Sequence, residues 1–171
     1  MENYLKEDKQ RYLNHMPTFQ MYFRKAQQTK FIPLRLLYKA LFILFRRKRF
    51  IEMSIENHIG GGLYFGHAYC ITINPNVIIG KNCNIHRGVL IGQENRGTRQ
   101  GTPIIGNHVW IGINAIIVGR IKIGNDVLIA PNSYVNCDVP DHSIVIGNPC
   151  KIISKTNATR EYINREVEEI Y

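Results

Sequence analysis

No two of the four cysteines, Cys70, Cys83, Cys137 and Cys150, make a CxxC pair. That leaves no zinc-ligand spacing. In a 171-residue chain able to bury a core, it points to reduced thiols and a cytoplasmic protein. No apolar run is long enough to cross a bilayer: the longest, FIPLRLLYKALFILF (31–45), carries Arg35 and Lys39. The opening MENYLKEDKQRYLNHMPTFQ is polar and of mixed charge, unlike a secretion signal. There is no low-complexity tract, and 44% hydrophobic with 20% charged residues is the composition of one globular domain. Acid is scarce. Thirteen Asp and Glu against 22 Lys and Arg leave a net charge of +9, which attracts phosphates, nucleic acid or acidic lipid headgroups. Much of that charge lies in one helix and no nucleic-acid motif accompanies it, so no nucleic-acid partner is expected.

The scarcity is sharpest from Phe31 to Ile51, where Arg35, Lys39, Arg46, Arg47, Lys48 and Arg49 meet no acid at all. Residues 1–51 form an N-terminal helical extension in this reading. Leu34, Leu37, Tyr38, Leu41, Phe42 and Phe45 recur at three-to-four spacing as an amphipathic stripe, and Pro33 suits the first turn. Two roles stay open for the basic face. It is solvated while the stripe packs on the rest of the protein, or it makes peripheral contact with the inner face of an anionic membrane.

What is abundant is a period of six. Ile105, Ile111, Ile117, Ile123, Ile129 and Val135 keep phase, and Gly or Ala follows four of them. The position four after each aliphatic is usually small or β-branched: Val109, Ala115, Val127, Ser133, Val139, with Ile121 the bulkier exception. Upstream, Ile59, Phe65 and Ile71 are in step, and Ile79, Ile85 and Ile91 follow after a slip of two. Neither a helix nor a half-buried strand has this period. A chain that makes a short strand, turns a corner and repeats does, and three sides close a triangular coil of about 18 residues. The expectation is an all-β core, a parallel β-helix over 52–153. The apolar-free GQENRGTRQGTP (92–103) would be extruded as a loop. A C-terminal tail with a short acidic helix is expected over 154–171.

The hexads, the extruded loop, PIIGNHVWIG, IGNDVLIAPNSYV and IVIGNPCKII resemble the left-handed parallel β-helix acyltransferases of the hexapeptide-repeat type. Cys150 stands where that family usually has alanine. The resemblance implies a homotrimer with acetyl-CoA along the groove between adjacent prisms. IGGGLYFGHA (59–68) resembles the serine acetyltransferase branch, which makes His67 the implied general base and Glu52 its supporting acid, where the family has aspartate; Glu56 is the spare candidate. The galactoside- and maltose-type branch carries its histidine in the extruded loop, and residues 92–103 contain none. By family position Gly112, Ala115 and Ala130 would flank the pantetheine arm and Lys151 would meet the phosphates. His86, 19 residues after His67, would face the same cleft. Thr102 occupies the place of a second acceptor-site histidine. With only about fifty residues before the repeats, the chain also looks like the short relatives suspected of acetylating sugars.

The chemistry suits these residues. An alcohol attacking a thioester must lose its proton, and neutral imidazole, with a pKa of about 6.5, is a base matched to neutral pH. A carboxylate on the other ring nitrogen would fix the tautomer. The expected activity is O-acetylation of a polysaccharide sugar or precursor, with L-serine in cysteine biosynthesis as the alternative acceptor. Two other classes are weighed against it. A γ-type zinc carbonic anhydrase needs three histidines, two of them five apart, whereas His67, His86 and His108 are separated by 19 and 22 residues, so no metal is expected. A non-catalytic trimeric scaffold would bind no acetyl-CoA.

Overall fold

The computed structural model describes residues 3–167. Three helices come first: α1 (Tyr4–Gln10), α2 (Thr18–Gln28) and α3 (Ile32–Arg47). The first coils hold β1 (His58–Ile59), β2 (Tyr64–Gly66), β3 (Thr72–Ile73), β4 (Ile78–Ile79), β5 (Asn84–His86) and β6 (Leu90–Gly92). The later coils hold β7 (Ile104–Ile105), β8 (Val109–Ile111), β9 (Ile116–Val118), β10 (Lys122–Ile123), β11 (Val127–Ile129) and β12 (Tyr134–Val135). Two longer strands end the fold, β13 (Ser143–Ile146) and β14 (Lys151–Ser154).

Every third strand joins the same wall. The first wall runs β1-β4-β7-β10, the second β2-β5-β8-β11-β13-β14, the third β3-β6-β9-β12, all parallel except β14. This is the expected left-handed β-helix. One aliphatic per strand points inward and stacks on its equivalent in the next coil. Phe65, Ile85, Ile111, Ile129 and Val145 in the second wall are each 3% exposed or less. Ile59, Ile79, Ile105 and Ile123 do the same in the first wall, and Ile73, Ile91, Ile117 and Val135 in the third. Each such burial stabilises by roughly 1.5–3 kcal/mol. One edge turns through a column of left-handed residues, Gly62, Asn82, His108, Asp126 and His142. Glycine and asparagine tolerate that conformation best.

The coil length varies where the sequence says it should, with one difference. Partners in β7 and β10 are 18 residues apart, and across the extruded loop between β6 and β9 they are 26 apart. In the first coil β1–β4 and β2–β5 partners are 20 apart, yet β3–β6 partners are already 18 apart. The slip of two therefore precedes β3. Ile73, not Ile71, stacks under Ile91, and both isoleucines are buried.

A parallel β-helix leaves unpaired backbone groups on its first coil, and burying them unsatisfied would be costly. The N-terminal helices supply partners. Asp8 Oδ1 accepts from the Leu63 amide at 3.0 Å and Tyr12 Oη from the Phe65 amide at 2.7 Å. Gln20 donates to the Leu63 carbonyl, Arg24 to those of Ile59 and Gly60, and Gln27 to those of Ile55 and Asn57. Arg24 and Asp8 form an ion pair at 2.8 Å with both side chains fully buried. At the other end β14 covers β13.

Helix α3 is the outermost layer at the capped end. Tyr38 and Phe45 pack on Tyr22, and Phe42 packs on Phe23, with ring centroids 5.6–6.0 Å apart. Leu34 and Leu37, which the periodicity assigns to the buried stripe, are 36% and 52% exposed. The tail also differs from expectation. The last four residues of the expected helical segment, 168–171, lie outside the described residues; among those described no helix follows β14, and residues 156–162 make consecutive turns. Asp126 pins them by accepting from the Ala158 and Thr159 amides and the Thr159 hydroxyl. Residues 163–167 run back to the end of α1, where Arg165 donates to the Arg11 carbonyl.

Asp8→Ala would strand a buried guanidinium and the Leu63 amide together. A loss of about 3–5 kcal/mol is expected from denaturant unfolding; a loss below about 1 kcal/mol would show that the cap is not anchored there.

Candidate active-site edge

The prism edge where the second wall turns into the third is built differently in the first coil. Arg87 and Gly88, neighbours in the second coil, donate to the carbonyls of Gly66 and Tyr69, both at 3.1 Å. His67 and Ala68 are the two extra residues, a bulge in the corner. Ala68 turns inward and is 3% exposed, while His67 takes a left-handed φ of 52° and presents its imidazole to solvent. The inserted pair is what lifts His67 out of the wall.

His86 stands one coil above, in register with Gly66. Its Nδ1 lies 3.0 Å from the Ile111 carbonyl oxygen, which can only accept. Nδ1 therefore carries the hydrogen, and in the neutral ring Nε2 is a bare acceptor. Burial holds this imidazole below its ordinary pKa; nearby His67 adds to the effect, and the Ile111 carbonyl opposes it. The ring occupies the space a side chain at residue 66 would need. A methyl group on Gly66 would sit 2.4 Å from His86 Cδ2 and 2.5 Å from Nε2. Trp110 backs the His86 ring at 4.6 Å between centroids, and Tyr162 backs Trp110 at 5.1 Å. Together with Arg11, Tyr64 and Asn84 these side chains line a cleft of about 230 Å³.

Above His86 the edge is smooth. Carrying the register one residue past the strand ends aligns Gly66, His86, Gly112, Ala130 and Ile146, and β14 adds Lys151 opposite Ile146. Five steps of about 4.8 Å make an edge roughly 24 Å long. Gly112 is small because a Cβ there would meet Pro131 N at 2.7 Å and the Ile129 carbonyl at 2.9 Å. Ala130 is half-buried and Lys151 exposed.

Other expected residues lie elsewhere. Ala115 lines no groove: it is fully buried in the prism core, where the corner leaves room only for a small side chain. Thr102 donates to the Asn76 carbonyl at 3.2 Å, on the edge between third and first walls, so one prism does not bring it to His86. Glu56 belongs to that other edge as well, in the turn before β1. Glu52 pairs with Thr72 one coil below β3, exposed and near Arg46. Among the described residues no hydrogen bond or ion pair joins it to His67, nor does any group of three or more His, Cys, Asp or Glu form that could hold a metal ion.

Gly66→Ala would displace the His86 ring and break its Ile111 bond. The NMR titration midpoint of His86, expected below the ordinary 6.5 in the native protein, should then rise towards it. An unchanged midpoint would show that Gly66 does not set the ring's place.

Residues 102–137 match the family "Bacterial transferase hexapeptide (six repeats)". Serine acetyltransferase 2 of Arabidopsis thaliana is 34% identical over 132 residues, 71% of this chain and 41% of that protein. The serine acetyltransferase of Helicobacter pylori is 33% identical over 105 residues, 61% of each chain. Soybean serine acetyltransferase superposes with a TM-score of 0.67 at 30% identity, covering 79% of this chain and 56% of that one. It is also known in complex with serine, and another serine acetyltransferase of the same fold in complex with CoA. The chain thus spans less than two thirds of the length of these relatives. Its repeat domain carries the bacterial transferase hexapeptide repeat and is similar in sequence and fold to the β-helix of serine acetyltransferases.

Proposed function

We propose that this chain is an acetyl-CoA-dependent O-acetyltransferase that works as a homotrimer, with His67 as general base. The observation that carries the reading is the single prism edge that holds His67 and His86 at one end and Lys151 at the other, with Gly112 and Ala130 between. An extended pantetheine arm needs such a bare edge for main-chain contact, and its phosphates need a cation at the far end. The thioester supplies an already activated acetyl group, so no Ser or Cys nucleophile is required. His67 takes the proton of the acceptor hydroxyl as its oxygen attacks, and returns it to the departing thiol. Glu52 is the carboxylate assigned to orient it. The trimer is supported by Ile78, Ile104, Leu90 and Ile116, outward-facing on two walls and 36–46% exposed. Packing of prisms would also bring a neighbour's loop towards this edge, giving Thr102 a route to the site that one prism denies it.

For the acceptor we favour a sugar hydroxyl. The cleft beside His86 is lined mostly by polar groups, from Arg11, Asn84, His86, Asn164 and Arg165, with the rings of Tyr64, Trp110 and Tyr162 beside them, and hydrogen-bonding groups next to aromatic faces suit a sugar ring. L-Serine is the second reading, favoured by the relatives, which are serine acetyltransferases.

Release of free thiol from acetyl-CoA across a panel of sugars, oligosaccharides and L-serine tests both. His67→Ala should lower kcat/KM by about 10²–10⁴ with the fold intact, and full turnover by that variant would remove the base. Faster turnover with serine than with any sugar would overturn the acceptor.

A further inference from the structure

We infer that the outer face of α3 docks on an anionic lipid surface. The helix uses one face for α2 and leaves the opposite one without a partner: Ile32 is 69% exposed, Leu36 60%, Leu37 52% and Leu44 50%. Phe31 and Phe50 extend the apolar surface at either end, at 67% and 74%. At 3.6 residues per turn, Arg35 and Lys39 run along one flank of this stripe, and Arg47 and Lys48 stand at its C-terminal end. No acid occurs from residue 31 to 51.

Charge selects the occupant. A second copy of this helix seated on the first would set basic residues against basic residues, with no carboxylate in the segment to separate them. A zwitterionic or neutral surface would satisfy the leucines and leave the cations unpaired. Anionic headgroups neutralise Arg35, Lys39, Arg47 and Lys48 while the apolar stripe enters the acyl boundary, the arrangement of an interfacial amphipathic helix. The helix lies on the bilayer and does not span it: no helix among the described residues is long and apolar enough to cross. α2 lies between the body of α3 and the first coil, while the C-terminal end reaches that coil directly, Arg46 donating to the Met53 carbonyl and the Arg49 carbonyl accepting from the Cys70 amide. In a three-fold assembly the three copies would face the same way, and simultaneous contact would multiply the attachment.

Flotation of the full chain with phosphatidylcholine vesicles, with and without phosphatidylglycerol, tests this. Binding to the anionic vesicles on the order of tenfold above the neutral ones is expected. Leu36→Glu with Leu37→Glu should abolish it at unchanged oligomeric mass and thermal midpoint. Arg35→Gln with Lys39→Gln, which leaves the apolar stripe in place, should weaken it severalfold. The proposal is overturned if the native chain floats with neither vesicle, if both variants float like the native chain, or if the Glu variant loses oligomeric mass, which would give the face to a second copy. Thiol release from acetyl-CoA, followed without vesicles, reports the catalytic reading separately, so failure of one leaves the other standing.

Discussion

Everything in this molecule depends on parallel coils staying in register. Each strand is only two to four residues long and has no stability of its own; it exists because the same backbone position recurs directly above and below it. A shift by one residue would exchange the inward aliphatics for the outward positions in every wall at once. The stack of Phe65, Ile85, Ile111, Ile129 and Val145 therefore fixes far more than a core. It decides which residues reach the prism edges, and the candidate site is an edge. The His86 ring can lie over residue 66 only because the register puts a glycine there.

Such a stack has two open ends, and the chain closes them by different means. At the far end β14 reverses direction and pairs with β13. At the near end the closure is made of side chains: Asp8, Tyr12, Gln20, Arg24 and Gln27 take up the free amides and carbonyls of the first coil. That choice shapes the outer layer. Once α2 spends its polar side chains on the prism, its remaining aromatic face has to be covered, and α3 covers it with Tyr38, Phe42 and Phe45. Nothing in the described residues then covers α3. An unpartnered apolar face beside unopposed cations is the consequence of capping a β-helix with a two-layer helical plug.

The architecture was legible because its signal is repeated. Six hexads in phase, an apolar-free interruption and a slip of two predict stacked coils of about 18 residues, an extruded loop and a break in phase, and each corresponds to a feature of the walls. The position of the slip was not legible, because Ile71 and Ile73 are both isoleucine and both buried; sequence phase alone cannot choose between them. Only the hydrogen bonds of Arg87 and Gly88 place the insertion at His67 and Ala68. Periodicity also misassigned Leu34 and Leu37, since an amphipathic stripe says that a face is apolar and not that a partner exists to bury it. Ala115 shows the reverse error: a small residue at a groove-like position is small here to fit an interior corner. The buried cap of Asp8 and Arg24 was invisible, two polar residues in a polar segment whose value comes from backbone groups 35 to 55 residues away.

The His86 arrangement joins stability and chemistry through one proton. Burial disfavours its charged form, so its folded-state pKa lies below the ordinary value near 6.5 that it regains on unfolding. Above that ordinary value neither state binds the proton and the folded protein keeps its full stability. As pH falls below it, the unfolded chain takes up the proton first and stability is lost, until the folded-state pKa is also passed. The form the fold prefers is the neutral ring, with Nδ1–H given to Ile111 and Nε2 left as an acceptor beside His67. Two neighbouring imidazoles cannot both be cationic without cost, and His67 is one of the causes that hold His86 neutral. The packing of the second wall, through Gly66 and Trp110, prepares that neutral ring beforehand, which is the neighbour the proposed role of His67 calls for.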